Sequence, residues 1–416
     1  MNLKVGIFLS ALLITSSVNA LNLDLLEDEP KEKKVKLNKK TYKVKYFSVN
    51  ENVRKRYFKI NNLVLEGDYL TAKEEATKFY NDVNDITNEN NMDKYVASIA
   101  LGNVYRVRGE VYKWKYMQIS TLEFFLRGKQ AIHRLKIDDY VFGLLDLGDI
   151  MIQKLGPDGT LSKMKELKSY ILTYRDIFPP SLLKEAFMKL EIIRAKAYFK
   201  KKSLKYIMMS LNEASRKLGD LYTSYSLENA HLLYLKSLSY YEFSKKQEIV
   251  FVNLKSSFKI AKKILKKRGK LDKSVFIADL YYFMGNILSQ GTKQSDCVDY
   301  FLKAKEIYIK NKMYDNVLET EYQLINVYKF LKERSNSKKE IDFALSFARE
   351  YFGEYSPEYA NILISKADTL NESRDYKKAL EIINKAKDIY IEKFGKYSKE
   401  VKLLDSTIDY IKLKSY

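Results

Sequence analysis

Hydrophobic residues recur along most of the chain with the spacing of one helical face. From about residue 52 onward, apolar side chains stand at positions i, i+3, i+4 and i+7 in runs of roughly 12 to 18 residues, with short polar breaks between them. Four of the five prolines lie at such breaks, where a helix begins or ends: Pro157, Pro179, Pro180 and Pro357. The pattern predicts a succession of amphipathic helices.

Composition supports this interpretation. The 416 residues include only 15 Gly and 5 Pro, which are too few for the many turns of a sandwich, a barrel or a glycine-looped nucleotide fold. Hydrophobic residues at 46% and charged residues at 31% are typical of an ordered globular chain. We therefore expect an all-α fold.

A segment near the C-terminus occurs twice. Phe352-Gly-Glu-Tyr-Ser356 recurs 42 residues later as Phe394-Gly-Lys-Tyr-Ser398. Between the copies stand Ala367, Ala379 and Ala386 at helical spacing. A period of this length predicts stacked helix pairs.

The small-residue pattern resembles the tetratricopeptide repeat (TPR) family, and in particular the elongated pairs of kinesin light chains and of peptide-sensing bacterial regulators. The small position of the first helix recurs every 40 to 47 residues, at Ile60, Gly102, Gly148, Ala195, Leu238, Gly285, Ile325 and Ala367. In copies two and three, larger residues replace the second-helix Ala, so the register there stays open by a few residues. The resemblance implies a right-handed α-solenoid of about eight helix pairs over residues 51–400, closed by a capping helix at 401–416.

The N-terminus has the layout of a secretory signal peptide. Lys4 precedes an apolar run from Val5 to about Thr15, and small residues end at Ala20, where we expect cleavage. The run is too short to span a bilayer, although an uncleaved anchor stays an alternative. We expect residues 1–20 to be removed, residues 21–50 to form a charged flexible leader, and the protein to be periplasmic or secreted, with no transmembrane span after cleavage.

No pattern of catalytic residues is present in the sequence. The only histidines, His133 and His231, stand about two repeats apart, and no nucleophile elbow, phosphate-binding loop or zinc-protease motif occurs. The single cysteine, Cys297, excludes an intramolecular disulfide, and its apolar neighbours indicate a buried residue. We expect no enzymatic activity, no cofactor and no metal site.

The TPR resemblance implies that the first helices line a concave groove for peptides or partner helices. The residue after each small position should face the groove, and all eight are polar: Asn61, Asn103, Asp149, Lys196, Ser239, Asn286, Asn326 and Asp368. A carboxamide can pair with both groups of a peptide unit. Arg106 and Lys329 could hold carboxylates, and Tyr57, Tyr282 and Tyr322 offer flat surface. Polar residues that simply face water are the alternative interpretation.

A second candidate site is a cluster of cations at the end of one helix. The cluster contains Lys262, Lys263, Lys266, Lys267, Arg268 and Lys270, in a chain of net charge +21. These cations could meet an anionic membrane or polysaccharide of the cell envelope. Most of the cations are Lys, which disfavours nucleic-acid recognition because that relies on Arg forks. A lysine face that is merely solvated is the alternative.

The sequence thus favours an exported, non-enzymatic scaffold or adaptor that binds a protein or peptide through its groove. A lysine-rich sensor or adaptor docked on an anionic envelope surface is the second hypothesis. A detached sensory half of a regulator is the third. The partner, the organism and the oligomeric state are left open.

Overall fold

The computed structural model describes most of the chain from residue 51 onward. It describes residues 35–37, 40–42, 51–85, 91–131, 148, 151–152, 155–173, 175, 180–219, 225–244, 246–290 and 295–415. The predicted signal peptide at residues 1–20 lies outside this set, as do the groove position Asp149 and one of the two histidines, His133.

Sixteen α-helices lie within the described residues, and they confirm the all-α fold class. In chain order they are α1 Glu51–Glu66, α2 Tyr69–Val83, α3 Asn91–Val107, α4 Val111–Ala131, α5 Gly156–Thr173, α6 Pro180–Lys200, α7 Leu204–Gly219, α8 Leu227–Phe243, α9 Gln247–Lys267, α10 Val275–Ser289, α11 Asp296–Lys310, α12 Tyr314–Phe330, α13 Arg334–Tyr351, α14 Pro357–Glu372, α15 Tyr376–Phe394 and α16 Lys399–Lys414. A 3₁₀ turn, Leu271–Lys273, follows α9.

A short hairpin is the one departure from the helical pattern within the described residues. Strands β1, Val35–Leu37, and β2, Lys40–Tyr42, pair antiparallel, with Val35 opposite Tyr42. They lie in the predicted leader. Periodicity did not predict them, because three-residue strands are too short to show an alternating pattern.

The helices pack in chain order as antiparallel pairs, and the chain divides into two compact units. Residues 1–277 form unit 1 and residues 278–416 form unit 2. Contacts within pairs join α1 to α2, α3 to α4, α6 to α7, α8 to α9, α12 to α13 and α14 to α15. Contacts between neighbouring pairs join α2 to α3, α5 to α6, α7 to α8, α11 to α12 and α13 to α14. The first helix of the third pair is described only at residues 148 and 151–152. Helix α16 packs on α15, the second helix of the eighth pair.

The small positions of the repeat lie in the core. All eight of them are buried, including those in copies two and three, where the sequence left the register open. At Gly285 an added Cβ would lie 2.7 Å from Cε1 of Phe301 on the partner helix. The absence of a side chain therefore lets this helix pair approach closely. Cys297 is buried as well, and burial raises the pKa of its thiol to about 11.

Five pairs share the same turn between their helices. One residue in each turn takes a left-handed conformation, with φ between 55° and 79°: Gly67, Gly109, Lys202, Lys332 and Arg374. The N–H of this residue bonds to the carbonyl three residues back, and the next N–H bonds to the carbonyl five back. At the last turn, Arg374 N–H donates to Asn371 O (3.0 Å) and Asp375 N–H to Leu370 O (2.9 Å). This geometry satisfies helix-end carbonyls. It also ends helices between pairs, at Gly269 and Lys312.

The segment that occurs twice in the sequence forms matching connections between pairs. Gly353 and Gly395 both have positive φ, at 93° and 84°. Ser356 caps α14 by accepting the N–H of Tyr359, and Ser398 caps α16 in the same way. The repeated residues thus end one helix and begin the next.

Candidate functional site

The predicted groove positions have different environments in the two units. In unit 1, Asn61 and Ser239 are fully buried, Lys196 is buried and Asn103 is half-buried. Neither amide atom of Asn61 has a hydrogen-bond partner among the described residues. In unit 2, by contrast, the equivalent residues are accessible: Asn286 and Asp368 are half-buried and Asn326 is exposed. Of the described groove positions, those in unit 2 are the better placed to meet a ligand.

The groove of unit 2 begins with a hydrogen-bonded tyrosine. The hydroxyl of Tyr282 on α10 donates to Oε1 of Glu319 on α12, at 2.8 Å. Asn286 and Gln323 also hydrogen-bond to this hydroxyl, and burial followed by the charge of Glu319 raises its pKa well above the usual range. The first helices of two successive pairs are thereby joined by one polar network.

The hydroxyl oxygen of a second tyrosine, Tyr322 on α12, is buried. It makes no hydrogen bond to any residue that the structure describes. Burial raises the pKa of this hydroxyl well above the usual range, and the charges of Tyr390, Glu319 and Glu358 raise it further. An unpaired buried hydroxyl is costly, and a bound ligand could supply the missing partner.

The third first helix, α14, continues the face. Asn361 accepts a hydrogen bond from the hydroxyl of Tyr390 at 2.5 Å. Burial raises the pKa of Asp368 above its usual value. The charge of Lys329 lowers this pKa, and the charge of Glu372 raises it. Lys329, which the sequence analysis assigned to a ligand carboxylate, already pairs with Glu372 at 3.1 Å.

Sequence reasoning missed one acidic residue and one carboxamide of this face. Glu319 and Asn361 stand seven residues before Asn326 and Asp368, which is two helical turns back on the same side. That spacing was a usable signal, because residues two turns apart on a helix share a side. Glu319 adds one acidic group to the groove positions predicted in unit 2.

The other candidate site, the cation cluster, is partly used inside unit 1. Arg268 bonds to Glu66 at 2.8 Å, and Lys270 bonds to Asp68 at 2.6 Å, across about 200 residues of sequence. Burial opposes ionisation of Asp68, but the hydrogen bonds and charge of Lys270 lower its pKa below the usual value. Two of the six predicted surface cations thus hold the turn of the first pair.

Backbone contacts also join the turn of the first pair to the segment that follows α9. We call this junction the clasp, and it consists of residues 65–68, His231 and residues 268–276. Val275 N–H donates to Gly67 O at 3.0 Å, and the Ser274 hydroxyl donates to Glu66 O at 2.6 Å. Helix α1 also packs on α8. The clasp therefore joins the first pair of unit 1 to the end of the fifth.

The other four cations of the cluster remain at the surface. Lys262, Lys263, Lys266 and Lys267 are exposed, and the first two lie over the rings of Phe258 and Tyr225 at 5.5 and 4.8 Å. Docking of these four on an anionic surface stays a prediction.

Three of the solved structures that are similar to this chain belong to Rap-type proteins. They are a Rap protein complexed with competence and sporulation factor (12% identity over 88% of this chain and 98% of that chain, TM-score 0.49), aspartyl phosphate phosphatase F from Bacillus subtilis (9%, 90% and 97%, TM-score 0.47) and the apo form of RapI (13%, 88% and 98%, TM-score 0.45). No family model and no curated protein matches the chain. The helical repeat described above rests on the helices of this chain itself.

In the described part of the chain, no three side chains of His, Cys, Asp or Glu are grouped as metal ligands. None of the helices described there is long and apolar enough to cross a membrane.

Because the histidine of the clasp is buried, we predict that the stability of unit 1 depends on pH. His231 stacks on Phe276, with ring centroids 3.6 Å apart, and its Nε2 lies 3.0 Å from Leu65 O. Burial lowers the pKa of His231 from 6.5 to about 4, so the folded state keeps the ring neutral while the unfolded state binds a proton. The contribution of His231 to the free energy of unfolding is fully present above its unfolded-state pKa of 6.5. This contribution is lost as the pH falls from 6.5 towards the folded-state pKa of about 4. We expect a loss of about 2 kcal/mol between pH 7 and pH 5.

Urea unfolding followed by the fluorescence of Trp114, which lies in the same unit, measures this loss. The His231→Phe variant keeps an aromatic ring but has no proton to bind. Between pH 7 and pH 5, the free energy of unfolding of the wild type should therefore fall by about 2 kcal/mol more than that of the variant. Parallel pH profiles would show that the clasp histidine does not control acid stability.

Proposed function

We propose that the protein is a non-enzymatic scaffold or adaptor that holds a peptide segment on the first-helix face of unit 2. The observation that supports this most is the polar network of α10, α12 and α14, which is half-exposed and contains the buried, unpaired hydroxyl of Tyr322. Polar groups in a protein core are normally satisfied by the protein itself. A face that leaves one unsatisfied is suited to a ligand.

Carboxamides along this face suit an extended backbone. Asn286, Gln323, Asn326 and Asn361 lie on three successive first helices and are exposed or half-buried. Each carboxamide has both a donor and an acceptor, so it can pair with the N–H and the C=O of one peptide unit whatever the side chain. Export of the protein stays a prediction beside this proposal.

Affinity capture tests the proposal directly. A randomised octapeptide pool is passed over immobilised full-length protein, and retained peptides are quantified and sequenced by mass spectrometry. Replacing Asn286 and Asn326 together with Ala should reduce the retained amount at least tenfold, because two backbone-pairing groups are lost. The matched control replaces Asn336 and Asn384, which are carboxamides on the second helices α13 and α15.

The control variant should retain as much peptide as the wild type. Retention by wild type no greater than by blank resin would refute peptide binding. Equal losses in the two double variants would show that the first-helix face is not the site.

A further inference from the structure

A cleft of unit 2 lies on the side away from the first-helix face. Its volume is about 510 Å³, within the range of about 300 to 1,000 Å³ that is typical of small-molecule sites. Helix α14 forms its floor with Tyr359, Leu363 and Lys366, and α13 and α15 form its two walls. Because each residue turns a helix by about 100°, these three positions lie opposite Asn361 and Asp368 on α14. The cleft is therefore separate from the proposed peptide site.

The cleft has an apolar lining. Leu363 and Ile389 are buried, and Leu345 and Ile382 are half-buried. Tyr355, in the connection between α13 and α14, lines the same cleft and is 68% exposed. An exposed aromatic ring beside an apolar surface offers a flat face on which an apolar ligand can stack.

The α13 wall contains an arginine that is held through one nitrogen. Nη2 of Arg349 donates to the hydroxyl of Tyr359 at 3.1 Å and to Oε1 of Glu354 at 3.4 Å. Its other nitrogens, Nη1 and Nε, make no hydrogen bond to a residue that the structure describes. The guanidinium is thus fixed in position, and its remaining N–H groups are open to an acceptor such as a carboxylate.

The α15 wall contains two carboxylates. Asp388 and Glu392 line the cleft and are exposed, and neither forms an ion pair with another described residue. Within the described part of unit 2, no ion pair joins α13 to α15 either. The 42-residue repeat places Glu392 at the level of Glu350, the residue after Arg349. A cation and two acids therefore line opposite walls at one level of the cleft without bonding to each other.

The lysines of the cleft have acidic neighbours outside it. Lys366 lies 3.7 Å from Asp342, and Lys385 lies 3.7 Å from Glu381. The charged groups that lack such a neighbour are the outer nitrogens of the α13 arginine and the two carboxylates of α15. The cleft thus offers donors on one wall, acceptors on the other and apolar surface between them.

We infer that this cleft binds a free amino acid with a large apolar side chain. Arg349 donates to its carboxylate, Asp388 and Glu392 accept from its ammonium, and its side chain packs on the apolar lining beside Tyr355. An ammonium has only donors and a carboxylate only acceptors, so one amino acid satisfies both walls at once. This second site does not depend on the proposed function.

Titration calorimetry of the full-length protein with L-phenylalanine tests the inference. Two analogues each lack one charge: 3-phenylpropanoate has no ammonium, and 2-phenylethylammonium has no carboxylate. L-Alanine keeps both charges but lacks the large side chain. We expect L-phenylalanine to bind with a Kd below about 1 mM, and each of the three other compounds to bind at least tenfold more weakly.

Two variants assign the charges of the ligand to the two walls. Arg349→Gln should weaken the binding of L-phenylalanine at least tenfold and abolish its advantage over 2-phenylethylammonium. Asp388→Asn/Glu392→Gln should weaken binding to a similar extent and abolish the advantage over 3-phenylpropanoate. Each variant removes only the interaction that the corresponding analogue cannot make.

Matched controls make the same substitutions outside the cleft. Arg334→Gln removes an exposed arginine at the start of α13, and Asp299→Asn/Glu306→Gln removes two exposed acids of α11. Both control variants should bind L-phenylalanine as the wild type does.

Three results would overturn the inference. A Kd for L-phenylalanine above about 1 mM shows that the cleft is not a site of this kind. Equal affinities for L-phenylalanine and its two singly charged analogues show that the walls do not recognise the charges. Equal weakening in the cleft variants and their controls places the binding elsewhere on the protein.

Discussion

We expect Gly67→Ala to open the clasp of unit 1 and to lower the free energy of unfolding by about 3 kcal/mol. Gly67 has φ of +79°, which L-residues rarely adopt. An added Cβ would lie 2.7 Å from the backbone nitrogen of Phe276 and 2.8 Å from the Ser274 hydroxyl. The left-handed conformation costs about 1 to 2 kcal/mol, and overpacking against a fixed backbone adds about 1 to 3 kcal/mol.

A matched glycine separates the two effects. Gly109 occupies the same turn of the second pair, with φ of +73°, but nothing lies within 4 Å of its added Cβ. Gly109→Ala should therefore cost only the conformational part, about 1 to 2 kcal/mol. Hydrogen exchange of the Val275 amide, which bonds to Gly67 O, reports clasp opening. Equal increases in its exchange rate in the two variants would show that the contact at Gly67 does not hold the clasp.

The clasp marks a limit of prediction from sequence. The spacing of Ile60, Gly102 and the later small residues predicts which positions are buried, because each pair repeats the same local contacts. The contact of Glu66 with Arg268 joins residues about 200 positions apart and does not repeat. Periodicity contains no information about such a contact. The cation cluster therefore looked like a surface feature in the sequence.

Turn conformation was equally hard to predict. Lys202, Lys332 and Arg374 adopt the left-handed conformation that usually favours glycine, so their residue types gave no signal. The exposure of some predicted groove residues agrees with the sequence: Asn286 and Asp368 are half-buried and Asn326 is exposed. Their contact with a ligand stays a prediction. Asn61 has the same place in the repeat but is fully buried, because burial depends on packing that the repeat does not specify.

The second large loss of stability is expected when a buried charge cluster in unit 2 loses its lysine. The ammonium of Lys305 on α11 lies 2.6 Å from Glu321 Oε1 and 2.6 Å from Glu340 Oε2. Glu321 is fully buried, and burial raises its pKa to about 8; Lys305 opposes this rise and Glu340 adds to it. Near pH 7 Glu321 therefore keeps its proton, and the single ammonium offsets the remaining carboxylate.

Replacing Lys305 by Met should lower the stability of this region by about 3 kcal/mol at pH 7, because a poorly hydrated carboxylate is left without its counter-ion. Urea-dependent hydrogen exchange of peptides from α11 to α13 measures the loss. Lys303→Met is the control, since Lys303 on the same helix forms an exposed pair with Asp299, and its loss should cost less than about 1 kcal/mol. Adding Glu340→Gln to Lys305→Met should restore at least half of the lost stability. Similar losses of stability for the two lysine variants would contradict this prediction. The buried cluster would then contribute no more to stability than a surface ion pair does.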